Sequence, residues 1–154
     1  MVNQFTGTFP DISGNPNLRV INVGANNLTG TLPDISAIGF PNLIRFNVYG
    51  NSFTGAIPDM VNIPKLDYLL ADNNNFTDFT GSFPITLRRL FVASNNLTQT
   101  AVDNILQAIV DANRTTDMDE TALYMGGSGN SAPSPAGAAN INILRGRGWT
   151  IFVN

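Results

Sequence analysis

Leu18-Arg-Val-Ile21-Asn-Val23-Gly-Ala-Asn26-Asn-Leu28 is the stretch on which the fold turns. Counting Leu18 as position one, apolar residues fall at one, four, six and eleven, with Asn at nine. The same spacing returns from Leu43 to Phe53, from Leu66 to Phe76 and from Leu87 to Leu97, and Asn3 with Phe5 forms the tail of an earlier copy. Positions four and six alternate as a strand with one face on a core requires. Measured from Asn3, the asparagines Asn26, Asn51, Asn74 and Asn95 follow at spacings of 23, 25, 23 and 21. So regular a period means a chain that coils, each coil laying one strand beside the last.

Such strands form a parallel sheet, and the chain must turn away after each one. The turn leaves inward-facing backbone groups without a strand partner. An amide side chain, with both a donor and an acceptor, is the group that satisfies them. Asn26, Asn51, Asn74 and Asn95 are therefore expected to form a structural ladder of buried amides.

After each Asn the chain reads Phe5-Thr-Gly-Thr-Phe-Pro-Asp-Ile12, Leu28-Thr-Gly-Thr-Leu-Pro-Asp-Ile35 and Phe53-Thr-Gly-Ala-Ile-Pro-Asp-Met60. This pattern resembles the plant-type subfamily of leucine-rich repeats, whose period is about 20–29 residues. The resemblance implies a horseshoe-like solenoid fragment of α/β class with a parallel sheet on the concave face. It also implies a second short strand around Thr-Gly and a 3₁₀ or irregular return on the convex side. The fourth copy, Phe76-Thr-Asp-Phe-Thr-Gly81-Ser-Phe-Pro84, departs from the pattern with an insertion. Plant receptors and inhibitors of this type carry cysteine-paired caps. This chain has no cysteine, so the resemblance carries no plant-immunity role.

The chain from residue 98 onward changes character, dividing repeats (1–97) from a closing module (98–154) within one domain. Thr98 or Thr100 caps a helix with Val102, Ile105, Leu106 and Ile109 on one face. Ala122–Met125 reads as a strand, Gly126–Asn130 as a flexible turn, and Ser131–Pro135 as the start of a second helix running towards Arg145. Gly146-Arg-Gly148 stops that helix, and Trp149–Val153 is a last strand. A helix-strand-helix-strand cap is what a solenoid end requires. Its N-N-L-T, A-V-D-x-I-L, G-G, A-P-S and R-G-W-T elements resemble the closing module of repeat proteins from bacteria and tailed phages.

Composition narrows the functions. The 154 residues are 43% hydrophobic and only 12% charged, so Asn, Thr, Ser and Gly must cover the surface. A net charge of −3 argues against a nucleic-acid partner. No apolar run approaches membrane length, so membrane insertion is not expected. Met1–Phe5 lacks the basic and apolar regions of a signal peptide. A solenoid that opens within a repeat is expected to expose core hydrophobes and a sheet edge at that end.

Catalytic groups are scarce. With no His and no Cys there is no imidazole base, thiolate nucleophile or Cys/His zinc site. Asp11, Asp34 and Asp59 occupy one repeat position after a proline and read as turn residues rather than paired catalytic acids. Asp117, Asp119 and Glu120 cluster without the Gly and distant Glu of a calcium loop. No cofactor or metal is expected, and no enzyme. The sequons at Asn27, Asn75 and Asn96 are repeat consensus; a further one begins at Asn113.

What remains is a binding surface. Strand positions three, five and seven face away from the core. They hold Arg45, Tyr68 and Arg89; Asn47, Leu70 and Phe91; and Tyr49 and Asp72. If the terminal strands extend the sheet, Tyr124 and Phe152 join position five, and Leu70, Phe91, Tyr124 and Phe152 become an apolar stripe. Flanked by Arg and Tyr, that stripe has the composition of a protein interface. The alternatives are that the cap folds over it or that its side chains only stiffen the sheet. In a sugar-binding variant Tyr49 and Tyr68 would stack on pyranose faces beside Asn47 and Asp72.

The expected function is thus non-catalytic: a protein-interaction or structural component, self-assembling or bound to another protein. The likeness of the closing module points to a virion (capsid decoration or tail) or a cell-surface assembly. The alternative is an adhesin or receptor-binding module reading cell-surface carbohydrate or protein.

Overall fold

The computed structural model describes residues 3–113 and 121–154. The acidic cluster at Asp117, Asp119 and Glu120 lies outside them, as does most of the sequon starting at Asn113. The elements follow in the order β1 (Thr6–Gly7), β2 (Val20–Asn22), β3 (Asn27–Thr31), α1 (Ile35–Ile38), β4 (Arg45–Asn47), β5 (Ser52–Ile57), β6 (Tyr68–Leu70), β7 (Asn75–Phe79), β8 (Arg89–Phe91), α2 (Gln99–Asp111), β9 (Ala122–Tyr124), α3 (Pro135–Gly146) and β10 (Thr150–Phe152). They wind into a parallel solenoid with two sheets. One has six strands in the order β10-β9-β8-β6-β4-β2, the other four in the order β1-β3-β5-β7.

Position four of each copy is the middle residue of a concave strand. Ile21, Phe46, Leu69, Leu90, Leu123 and Ile151 lie in register across the sheet and point inward. The buried residues at positions one, six and eleven fill the space between the two sheets. Among them Phe53 and Phe76 stack at 6.4 Å across adjacent coils. Phe9 covers part of the first coil edge-on to Phe46, whereas Phe5 and Val20 at the same end are 66% and 54% exposed.

Each coil turns at one residue. Ala25, Gly50, Asn73 and Ser94, all at position eight, take φ of 55°, 62°, 54° and 51°. That left-handed bend swings the Asn at position nine inward. The second sheet is the Thr-Gly strand expected from the repeat. Thr29, Thr54 and Thr77 each donate a hydroxyl to the glycine carbonyl one coil earlier: Gly7, Gly30 and Gly55. In the fourth copy Asp78 replaces the glycine and accepts from the Phe79 N–H at 2.7 Å. Pairing slips by one residue between Gly55 and Ala56 at this point, which lets Phe79 fall opposite Ile57.

The returns are irregular apart from the single turn of α1. Asp34 accepts from the Ser36 and Ala37 N–H groups at its start. Asp11 accepts from Ser13, and Asp59 from both Val61 and, one coil on, Ser82. These three carboxylates are turn caps.

Thr98 and Ser134 cap the two long helices. α2 packs on β7 and on α3, so both helices lie on the convex side. Gly137 permits their close approach, because a Cβ there would lie 2.0 Å from Asp103 Oδ1. The segment Gly126–Asn130 forms the expected turn and packs against the preceding coil. Gly127 and Gly129, at φ of 97° and 101°, press onto Ser94 and Asn95, and Asn130 is buried.

Candidate partner-binding face

The amide ladder is built as follows. Asn95 accepts the Phe76 N–H at 3.0 Å and donates to the carbonyls of Ala71, Val92 and Ala93. Asn74 does the same with Phe53 N–H and the Val48, Ala71 and Asp72 carbonyls. Asn51 serves Leu28 N–H and the Val23, Val48 and Tyr49 carbonyls. Asn26, at the end, binds Phe5 N–H and two carbonyls of its own coil. Each central amide therefore ties its own turn to the preceding coil through two bonds and holds the concave strands in fixed register. Sequence reasoning missed a fifth rung. Asn130 accepts from Leu97 N–H and donates to Val92 and Met125. It sits two residues beyond position nine because the glycine-rich insertion displaces it, and the period concealed it.

With register fixed, the outward positions form rows. Position five runs Asn22, Asn47, Leu70, Phe91, Tyr124, Phe152 across all six strands. Phe91 and Tyr124 stack with ring centroids 4.6 Å apart and planes within 8°. Tyr124 and Phe152 repeat this at 4.6 Å and 18°. The separation matches the roughly 4.8 Å strand spacing, so each ring lies flat against its neighbour across the sheet. The helices lie on the other side and leave the row open. Leu70, Phe91 and Tyr124 are half-buried, and Phe152 is 50% exposed.

Position three runs Val20, Arg45, Tyr68, Arg89 and Ala122. The Arg45 and Arg89 guanidiniums sit 4.9 Å and 5.1 Å from the Tyr68 ring centroid, and as residues of the flanking strands they sandwich it. At position seven, Tyr49 is 42% exposed and Asp72 is half-buried. Burial pushes the Asp72 carboxyl above the usual carboxylate range, against weaker opposing hydrogen bonds including one from Asn73. Asn47 is spent locally, accepting the Tyr49 N–H in an Asx turn. Position two, unremarked in the sequence, holds an intercoil ion pair in which Arg88 grips the buried Asp67 through both carboxylate oxygens. Among the described residues no group of three His, Cys, Asp or Glu side chains converges on a metal position. No helix there is long and apolar enough to cross a membrane.

Repeat spacing, parallel strands and an asparagine ladder together define a leucine-rich-repeat solenoid. No family model and no curated protein sequence matches the chain. Among solved structures it is similar to the plant peptide hormone receptor RGFR1 in complex with RGF2, with a TM-score of 0.54 and 21% identity over 90% of this chain. The match takes in 25% of the receptor chain, so this protein spans about a quarter of that length. The likeness is one of fold.

Proposed function

We propose that this protein is a non-catalytic binding module that docks a protein segment on the C-terminal half of its concave sheet. The observation that carries the reading is the open aromatic row Phe91–Tyr124–Phe152, continuous with Leu70. Rings that serve only the core are covered; these lie on the outward face of a sheet whose cap sits elsewhere. Aromatic anchors held rigid before binding lose little entropy on association, which is what interface hot spots require. The similar protein of known structure is a plant peptide hormone receptor, and a peptide-binding use of the same fold fits this reading. The likeness of the closing module to bacterial and tailed-phage repeat proteins favours a finer version: an interaction or structural component of a virion or surface assembly.

Size-exclusion chromatography with light scattering on the isolated chain, before and after Phe91→Asp, tests self-assembly. A mass above the 16.5 kDa monomer that falls to the monomer on substitution makes the partner another copy. Monomers in both cases refute self-assembly and require a different protein.

The second reading is an adhesin that recognises carbohydrate, supported by exposed Tyr49 beside Asp72. It is the weaker of the two. Both faces of Tyr68 are taken by guanidiniums, and the stacked rings spend their faces on one another, so few faces remain for a pyranose. Glycan binding that survives in the wild type and vanishes in Tyr49→Ala would establish it.

A further inference from the structure

We infer that copies of this chain stack end to end, the free edge of β10 in one copy pairing in parallel with the free edge of β2 in the next. This contact is separate from the concave docking row and does not rest on it.

The two ends are complementary in repeat phase. Gly148 to Asn154 supply positions one to seven of a coil, with Ile151 and Val153 at the inward positions four and six. Asn3 and Phe5 stand at positions nine and eleven, followed by Thr6-Gly7-Thr8-Phe9-Pro10-Asp11. Read in succession across two copies, these segments spell one copy of the repeat, with Gly148 at position one where the others carry Leu. Among the described residues β10 is a concave strand with no convex strand after it, and β1 a convex strand with no concave strand before it. Each end holds the half coil that the other lacks.

The backbone groups of the two edges also match. In a parallel sheet alternate residues of a strand serve alternate neighbours. Arg19 O accepts from the Ile44 and Arg45 N–H groups and Val23 N–H donates to Asn47 O, so Val20 and Asn22 face the free edge. Thr150 N–H donates to Thr121 O and Phe152 O accepts from Met125 and Gly126, so Ile151 faces the other free edge. The five pairs of the concave sheet all set position four against position four. In that register Ile151 bonds between Val20 and Asn22 of the next copy. Neither edge is guarded, since no proline or charge stands in Val20–Asn22 or Trp149–Asn154.

The amide ladder is one bond short at the same place. Asn51, Asn74, Asn95 and Asn130 each donate to the position-six carbonyl of the coil before. Asn26 binds only Phe5 N–H and two carbonyls of its own coil, and the Val153 carbonyl of a stacked copy completes its set. Packing agrees. At position four Phe46, Leu69, Leu90 and Leu123 are fully covered, whereas Ile21 and Ile151 at the two ends keep some exposure. Phe5 lies open at position eleven, where Phe53, Phe76 and Leu97 are buried. A second copy is the occupant because it brings the matching edge, phase and carbonyl, and it continues the coil-on-coil packing of the chain itself. One end meets the other, so the contact builds rows rather than two-fold pairs. Six strands at about 4.8 Å would repeat the docking row every ~29 Å along such a row.

Light scattering over a range of concentrations tests this on the chain with no residues added at either end. The wild-type mass should rise above 16.5 kDa with concentration, and Phe91→Asp should leave that rise intact. Phe5→Asp alters a side chain that is exposed in a single copy and would put a charge between coils at the joint, so the mass should return to 16.5 kDa. Val153→Asp should do the same from the other end. Neither variant joins to itself, yet their mixture should form pairs of twice 16.5 kDa, because each keeps the end that the other has lost. Circular dichroism checks that both are folded. If Val153→Asp is not, slower amide exchange at Val20 and Asn22 as the wild-type concentration rises reports the same joint. A monomer at every concentration, or an assembly indifferent to Phe5→Asp, overturns the inference. Assembly lost in Phe91→Asp but kept in Phe5→Asp also overturns it, and leaves the docking reading standing with a second copy on the concave row.

Discussion

Replacing Asn95 with Ala should destabilise the solenoid far more than the same change at Asn26, although the two occupy the same repeat position. Asn95 is 2% exposed and makes four hydrogen bonds. Removing its oxygen leaves the Phe76 N–H buried between coils without an acceptor, which costs about 1–3 kcal/mol. Removing its nitrogen costs less, because the Val92 carbonyl keeps Asn130 and the Ala93 carbonyl keeps the Asn73 N–H. The Ala71 carbonyl loses its shorter donor but keeps Asn74 at 3.3 Å, adding less than about 1 kcal/mol. The total is about 1.5–3.5 kcal/mol, a large part of the ~5–15 kcal/mol available to a domain. Asn26 has three bonds, all only partly buried, and water can replace its contact with Phe5 N–H, so about 1 kcal/mol is expected there. Urea unfolding followed by circular dichroism, with equal m-values for both variants, measures the difference. Equal losses at the two positions, or a loss below about 1 kcal/mol at Asn95, would refute the idea that intercoil bridging sets the value of a rung.

Three further outcomes follow from the geometry. Arg88→Ala strands the buried Asp67 carboxylate and should cost about 1–3 kcal/mol, less than a fully buried pair because Arg88 is partly exposed; a double variant with Asp67→Asn should recover most of the loss in the same urea assay. Ala25→Gly relieves a left-handed alanine at φ 55° and should raise the midpoint by the equivalent of roughly 0.5–1 kcal/mol, whereas no gain would mean that the bend costs nothing at that position. Asp72 has a raised folded pKa, so its penalty is absent below the unfolded value of 3.8 and enters as pH rises through the higher folded one. Asp72→Asn should therefore stabilise the protein at neutral pH and leave it unchanged near about pH 3, where a gain of equal size would disprove the electrostatic cause. Asp11 and Asp34 run the opposite way in the wild type. Hydrogen bonds from Ser13, and from Ser36 with Ala37, hold these carboxyls low, so the stability they lend is present above 3.8 and lost as pH falls through the lowered values.

The solenoid was legible because its rule is local and repeated. Position four must point inward, Asn must follow five residues later, and the rows of position three and five follow from register alone. That is why Phe152, 82 residues beyond Leu70, falls in the same row once the terminal strands extend the sheet. What stayed hidden depends on contacts between coils. Asn130 is out of phase by the length of its own turn. The left-handed residues at position eight share no chemistry, since Ala25, Gly50, Asn73 and Ser94 are unlike one another. The sandwich on Tyr68 and the grip of Arg88 on Asp67 join side chains one coil apart, and neither pairing has a signature within a single copy.

The same arithmetic separates the residues that hold the protein together from those free to change with a ligand. Positions one, four, six, nine and eleven face inward and are fixed by packing and by the amide ladder. Positions three, five and seven emerge on a sheet that those others have already built. A substitution at Phe91 or Arg45 meets little buried structure, so it alters what is bound before it alters what is folded. This is why Phe91→Asp can serve as a binding probe, while Asn95→Ala reports on stability. It also explains how so few charges suffice. Packing fixes the shape without ion pairs, apart from the bridge between Asp67 and Arg88 among the described residues.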